Sequence, residues 1–152
     1  MSQSKACDPD TPLQPGQIML SSPDPTSQCR RIKFYRPADE TTAERAYREL
    51  REAAQAFHHE FWGAENARFE RERLCFINDA VLSMLTVPEQ AAGPTVDLAP
   101  FYRDYLNASY QRHLDYNRTW WRMNLRILTL GARAFLDRRW PGRRGSQRSK
   151  SV

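Results

Sequence analysis

Two adjacent histidines, in the string HHEFWG at residues 58–63, are the first side chains whose types could perform chemistry. The zinc motif H-E-x-x-H places two imidazoles on one helical face with a glutamate as general base. In this chain the second histidine of the motif is replaced by Gly63, which offers no ligand. His113 stands alone elsewhere, and neighbouring helical residues such as His58 and His59 point about 100° apart. We therefore predict no metal site and no cofactor.

Strings that mark catalytic or phosphate-binding sites are missing from the sequence. None of G-x-S-x-G, G-x-x-x-x-G-K or G-x-G-x-x-G occurs, and six glycines leave little room for a phosphate-binding loop. Cys7, Cys29 and Cys75 are odd in number and include no C-x-x-C pair, which fits a reducing compartment better than a disulfide scaffold. We expect a protein that is not an enzyme.

Recognition residues are densest in YQRHLDYNRTWWRMN at 110–124, which combines paired tryptophans, two tyrosines, a histidine and three arginines. The chain has a net charge of +5, and every charged residue after Asp137 is an arginine or a lysine. This distribution favours an anionic partner, which could be phosphate, lipid headgroups or an acidic protein surface.

Helices are predicted to position these groups. Thr41 and Glu44 have capping-box spacing at the start of TTAERAYRELREAAQAFHHEFW. One apolar face follows at steps of three and four residues: Ala46, Leu50, Ala54, Phe57 and Phe61. The phase of this face changes near Gly63, which predicts a kink or break between Gly63 and Asn66 and a second segment ending near Leu85.

A second long helix is predicted after a loop punctuated by Pro88, Gly93 and Pro94. Pro100 suits its first turn, and it runs to about Trp140. One stripe of this helix joins Leu106, Tyr110, Leu114, Asn117, Trp121, Leu125, Leu128, Ala132 and Phe135. We expect this stripe to pack antiparallel against the first helix. Its expected core residues are Leu114, Trp121, Leu125 and Leu128.

The predicted fold is all-α, a helical hairpin or small bundle. Residues 1–33 hold five prolines among small polar residues and are expected to be disordered, residues 34–140 to form the helical domain, and residues 141–152 a basic disordered tail. No apolar run of about 18 residues predicts a bilayer span. The start carries Asp8, Asp10 and Asp24, so no arginine-rich mitochondrial presequence is evident there.

Three strings occur in order: IKFYRPADE at 32–40, FHHEFWGAENARFERERLCFI at 57–77 and FYRDYLNASYQRHLDYNRTWWRMN at 101–124. Together they resemble the cytochrome c oxidase assembly factor 8 family, also called mitochondrial apoptogenic protein 1. The resemblance implies a protein of the mitochondrial matrix, loosely attached to the inner membrane, that supports biogenesis of respiratory complex IV, especially under oxidative stress. It implies no known catalytic residues and no established cofactor.

The expected partners are complex IV subunits or assembly intermediates, met by exposed aromatics, and anionic inner-membrane lipid, met by arginines. The hypothesised partner-binding residues are His113, Tyr116, Asn117, Arg118, Trp120 and Asn124. The hypothesised lipid-contacting residues are Arg122, Arg126, Arg133, Arg138, Arg139, Arg143 and Arg144.

Two other function classes stay open. A redox-responsive or copper-carrying protein would use Cys75 with His58, His59 or His113. A basic nucleic-acid-binding protein would place arginines on phosphates and aromatics on bases. Since the aromatics fall largely on a packing face and no known module pattern is legible, nucleic acid is not an expected partner.

Overall fold

The computed structural model describes residues 12–85 and 96–140. Four elements follow in chain order: β1 (Ile18–Pro23), β2 (Arg30–Phe34), α1 (Thr42–Leu85) and α2 (Ala99–Arg139). The two long helices pack on each other and the two strands form a small antiparallel sheet beside α1. The predicted helical hairpin is confirmed. Most of the predicted loop, residues 86–95, and the basic tail at 141–152 lie outside the described residues.

The start of α1 is the predicted capping box. Thr41 N donates to Glu44 Oε2 at 2.8 Å, and Glu44 N donates to Thr41 Oγ1 at 3.2 Å. The helix then continues without a break to Leu85, so the predicted kink near Gly63 is wrong. An apolar stripe with coiled-coil spacing rotates by about 20° per heptad around a straight helix, so a change of phase requires no break.

The helices are antiparallel, as expected. As residue numbers increase along α1, the contacting residue numbers decrease along α2: Tyr47 contacts Gly131, Trp62 contacts Tyr116, and Phe76 contacts Phe101. At Gly131 the helices come so close that a Cβ would lie 3.1 Å from the Tyr47 Cε2. Neither helix, within the residues that the structure describes, has an apolar stretch able to cross a bilayer.

The face of α2 that packs on α1 differs from the predicted one. The buried residues of α2 are Phe101, Tyr105, Ser109 and Ala134. Of the expected core residues, Trp121, Leu125 and Leu128 are 61%, 61% and 68% exposed, and Leu114 is half-buried. The predicted stripe lies roughly 150° around the helix axis from the buried face. Apolar periodicity is present on both faces, so it could not decide which of them meets α1.

Residues 18–34 form a β-hairpin, which we call the hairpin from here on, so the expectation that residues 1–33 are disordered is wrong for this segment. Ile18 pairs with Phe34 and Leu20 with Ile32 across the two strands. Asp24 holds the connecting turn, since its Oδ1 accepts hydrogen bonds from Thr26 N at 3.0 Å and Ser27 N at 2.9 Å. The prolines fall at a strand end and in this turn, where a missing amide proton does no harm.

Gln55 of α1 anchors the hairpin to the helices. Its side-chain amide accepts from Ile32 N at 2.7 Å and donates to Ile32 O at 2.9 Å, as a neighbouring strand would. Phe34 is buried beneath the Arg51 guanidinium, which lies 3.9 Å from the ring centroid. The packed unit therefore includes the hairpin and does not begin at residue 34.

Candidate functional site

Three of the predicted partner-binding residues, His113, Tyr116 and Trp120, lie half-buried against α1. The Tyr116 ring stacks on Phe61 with centroids 4.2 Å apart, and Trp120 meets His58 edge-on at 6.4 Å. The expectation that Tyr116 and Trp120 are exposed aromatics is therefore wrong. Antiparallel pairing brings residue 116 opposite residues 58–62, and that neighbourhood is rich in aromatic rings.

A hydrogen-bond relay runs through these rings. Trp62 Nε1 donates to the Tyr116 hydroxyl at 3.1 Å, and that hydroxyl lies 2.9 Å from His58 Nδ1. An indole N–H can only donate, so the Tyr116 hydroxyl oxygen accepts this hydrogen bond. Its own O–H then donates a hydrogen bond to His58 Nδ1, and this assignment places the imidazole proton on Nε2. Burial, with a smaller contribution from the charge of His59, lowers the pKa of His58 and favours this neutral form.

His59 faces the hairpin turn instead of α2. Its Nδ1 lies 3.0 Å from Ser27 Oγ, which is also 3.2 Å from Asp24 Oδ1. The single O–H of Ser27 donates a hydrogen bond to the Asp24 carboxylate. His59 Nδ1 therefore donates to Ser27 Oγ, and its Nε2 is left as an acceptor. That Nε2 is buried and has no partner among the described residues.

A cavity of about 390 Å³ lies between the hairpin and the helices. Its lining residues are Cys29, Arg30, Ile32, Gln55, His58, His59, Trp62, Tyr116 and Trp120. Sequence reasoning missed Cys29 here because the hairpin that positions it was not predicted.

The residues proposed for a copper site do not converge. Cys75 is exposed on α1, 16 residues after His59, which puts it about 24 Å away along the helix axis. Within the described ranges, no group of three or more His, Cys, Asp or Glu side chains is arranged to hold a metal ion. A site that combines Cys75 with His58 or His59 is excluded by this geometry.

A partly buried ion pair, which sequence reasoning also missed, fixes the register of the helices. Arg112 Nη2 lies 2.6 Å from Glu65 Oε1, and the Tyr105 hydroxyl donates to the same oxygen at 2.7 Å. Hydrogen bonding by Arg112, opposed by burial and assisted by Tyr105, lowers the pKa of Glu65 to about 2. Burial and the neighbouring carboxylate raise the pKa of Tyr105 to about 12. The only sequence signal was general: an acidic first helix opposite a basic second one.

The face of α2 that points away from α1 carries large apolar side chains, which we name the outer stripe. It comprises Leu106, Tyr110, Leu114, Trp121, Leu125, Leu128, Ala132 and Phe135. Leu106, Tyr110 and Phe135 are 64–66% exposed, similar to Trp121, Leu125 and Leu128. Of the remaining predicted partner-binding residues, Asn117 and Arg118 are exposed beside this stripe and Asn124 is half-buried at its edge.

The predicted lipid-contacting arginines differ in how they are engaged. Arg122, Arg126 and Arg133 are exposed along one side of the outer stripe and form no ion pair with any described acidic residue. Arg138 instead binds Asp39 Oδ2 at 2.7 Å and Glu44 Oε1 at 3.0 Å, which ties the end of α2 to the start of α1. Arg139 is exposed, and Arg143 and Arg144 lie outside the described residues.

Comparison with known proteins places this arrangement in a family. Residues 17–140 match the family model described as cytochrome c oxidase assembly factor 8. The cytochrome c oxidase assembly factor 8 of Rattus norvegicus is 31% identical over 134 residues, covering 85% of this chain and 69% of the relative. The human protein of that name is 30% identical over 137 residues, covering 87% and 66% respectively.

A Caenorhabditis briggsae relative, whose name marks it as a mitochondrial member of the same family, is 31% identical over 109 residues, covering 72% of this chain and 75% of its own length. No solved structure matches the chain. The family match extends from the hairpin through both helices, and so it includes both faces of α2. The chain belongs to the cytochrome c oxidase assembly factor 8 family.

Proposed function

We propose that this chain is a non-enzymatic factor for assembly or maintenance of mitochondrial complex IV. It acts by docking on assembly intermediates at the matrix side of the inner membrane, and it protects assembly under oxidative stress. Family membership and the names of the relatives support the role in assembly, and relatives named as mitochondrial support the location. The single structural observation that carries the docking step is the exposed outer stripe beside three arginines that form no ion pair with a described acidic residue.

The interior of the helical hairpin is complete without the outer stripe. Phe101, Tyr105 and Ala134 of α2 are buried against α1, while Leu125 and Leu128 remain more than half exposed. Monomeric proteins rarely expose contiguous apolar patches larger than a few hundred Å², because contact between apolar surface and water is unfavourable. The exposed outer stripe is therefore best explained by a partner that covers it.

The cationic end of α2 supplies the proposed membrane contact. Arg139 is exposed at the last turn, Trp140 is 61% exposed beside it, and the sequence continues with Arg143 and Arg144. Arginines close to an anionic leaflet contribute about 1 kcal/mol each, and tryptophan favours the headgroup boundary. Attachment at this end leaves most of the outer stripe available to a protein.

Complementation tests the assembly role. In cells lacking the gene, complex IV is quantified on native gels beside the other respiratory complexes, with and without peroxide. Deletion is expected to lower the level of complex IV selectively. Re-expression of this chain should restore that level, whereas re-expression of the Leu128→Asp variant should not. The matched control is Leu74→Asp, which replaces a 52% exposed leucine of α1 and should rescue fully. Unchanged complex IV after deletion, in both conditions, would refute the proposal.

The membrane contact needs its own measurement. The full chain is mixed with phosphatidylcholine vesicles that either contain or lack cardiolipin, and then floated on a density gradient. Flotation should require cardiolipin and should fall when Arg139, Arg143 and Arg144 are replaced by glutamine. Equal flotation of the glutamine variant and the unmodified chain would show that these arginines do not hold it to lipid.

A further inference from the structure

The exposed residues of the outer stripe have the spacing of a helix-pairing seam. From Trp121 they alternate in steps of four and three: Trp121, Leu125, Leu128, Ala132 and Phe135. Leu114 continues the pattern one heptad earlier, with Arg118 at the intervening seam position. Alternating four- and three-residue spacing brings each side chain into a hole between residues of a facing helix. Partition into lipid needs only a wide apolar arc, so the regular seam favours a helix as the occupant.

Positive charge borders this seam on one side only. Arg122 directly flanks this seam on one side, and Arg126 and Arg133 lie further round the helix on the same side. The opposite flank presents the neutral amides of Asn117 and Asn124. An interfacial helix gains from cations on both borders of its apolar face, because both borders lie at the level of the headgroups. A paired helix, in contrast, meets each flank of the seam with a different edge, so a one-sided charge specifies its orientation.

A second copy of this chain, paired antiparallel, is a poor occupant of the seam. In an antiparallel pair of identical helices, each flank meets the same flank of the other copy. Arg122 and Arg126 would then lie near their own equivalents. The exposed acidic residues described on that side, Asp104 and Asp115, already pair with Arg103 and Arg118, each at 3.0 Å. Like charges across such a seam oppose association.

We propose that the outer stripe of α2 is the docking surface for one amphipathic helix of a protein partner. That helix has an apolar seam and carries carboxylates along the edge that faces Arg122, Arg126 and Arg133. The region from Leu114 to Phe135 spans roughly 32 Å, which suits about three heptads of the partner. Docking would place α2 between α1 and the partner helix, with both of its apolar faces covered. This inference rests on the proposed function, because the partner helix belongs to an assembly intermediate.

Two synthetic helical peptides test the chemistry with the full chain. Both have the same leucine seam over three heptads, and one carries glutamates and the other lysines along one edge. The glutamate peptide is expected to bind at least tenfold more tightly than the lysine peptide by fluorescence anisotropy. Leu128→Asp should abolish binding, replacement of Arg122, Arg126 and Arg133 by glutamine should remove the preference, and Leu74→Asp should change neither.

The native partner is tested by a photo-crosslinking residue at position 125, with position 74 as control, in isolated mitochondria. Sequencing of the crosslinked peptide should reveal a helical segment with an apolar seam and an acidic edge, crosslinked from position 125 but not from position 74. Crosslinks from position 125 only to lipid, or only to a second copy of this chain, would overturn the inference. Equal binding of the two synthetic peptides would also overturn it.

The outcomes distinguish this inference from the proposed function. Loss of glutamate-peptide binding in Leu128→Asp together with full rescue of complex IV would overturn the docking surface and leave the assembly role standing. Binding of the glutamate peptide by this chain, with complex IV unaffected by deletion of the gene, would refute the assembly role and leave the acidic-helix surface standing.

Discussion

The inner and outer faces of α2 are both apolar, but their side chains differ in how they are used. The inner face mixes aromatic rings with small residues such as Ser109 and Gly131, and its polar atoms find partners across the interface. The outer face repeats large side chains at heptad spacing, on the same side of the helix as Arg122, Arg126 and Arg133, which pair with no acidic residue in the described part of the chain. The inner face is thus specified by its fit to α1, while the outer face is available to a surface outside the described chain.

One matched pair of substitutions tests this comparison most strongly. Phe101 and Phe135 belong to the same helix, but Phe101 is 7% exposed and contacts Phe69 and Phe76, whereas Phe135 is 66% exposed. Phe101→Ala should lower the free energy of unfolding by about 3 kcal/mol, through lost burial and a residual cavity. Phe135→Ala should change it by less than about 0.5 kcal/mol. Urea denaturation measures both, and similar losses would mean that the outer face is covered in the isolated protein.

The partly buried ion pair of Glu65 and Arg112 gives the next largest expected effect. Glu65→Ala leaves the Arg112 guanidinium and the Tyr105 hydroxyl without their shared acceptor, which should cost about 2 to 3 kcal/mol because removal of one partner strands the other. The control is Glu60→Ala, an exposed position on the same helix, for which we expect a change below about 0.5 kcal/mol. Thermal denaturation of the two variants under the same conditions should separate them by several degrees.

Glu65 also makes stability depend on pH in the acid range. The pKa of its carboxyl is about 2 in the folded chain, below the ordinary value of 4.5, so the unfolded chain binds a proton first as pH falls. The contribution is therefore complete above about pH 5 and is lost as pH decreases toward 2, by on the order of 3 kcal/mol. Glu65→Gln should flatten the unfolding free energy across that interval. An unchanged slope in the glutamine variant would assign the acid sensitivity to other carboxylates.

The amino-acid sequence was sufficient to locate the starts of the two helices, and it was not sufficient to assign their faces. The capping box at Thr41 and the proline at position 100 mark the helix starts to within one residue, because local hydrogen bonding and proline geometry decide those boundaries. The face of α2 that packs on α1 depends on close approach at Gly131 and on the partners of Glu65, which are tertiary facts. The predicted stripe was the more hydrophobic of two apolar arcs, and the buried one is richer in polar and small residues.

The hairpin was missed for a related reason. Its prolines suggested disorder, while its stability depends on contacts distant in sequence, such as the Gln55 amide on Ile32. Hence the cavity that brings Cys29 beside His58 and His59 could not be predicted from the sequence either. Exposed charged residues that we propose for recognition, such as Arg122 and Arg126, were easier to identify, because charge pattern alone indicates them.

The smallest expected effect separates neighbouring residues on opposite faces. Gly131→Leu and Ala132→Leu introduce the same side chain one position apart on α2. At Gly131 even a Cβ would lie 3.1 Å from the Tyr47 ring, so overpacking should outweigh the gain in helix propensity and destabilise by about 1 kcal/mol. Ala132 belongs to the outer stripe, where leucine should change the free energy of unfolding by less than about 0.5 kcal/mol.

A double-mutant cycle assigns the Gly131 penalty to the close approach of the helices. In a Tyr47→Ala background the space beside Gly131 is open, so Gly131→Leu should become neutral or stabilising there, since leucine is the better helix former by about 0.8 kcal/mol. A penalty that persists without the Tyr47 ring would mean that another contact sets the spacing of the helices. The same leucine at position 132 should then strengthen binding of the glutamate peptide, because it enlarges the seam without touching α1.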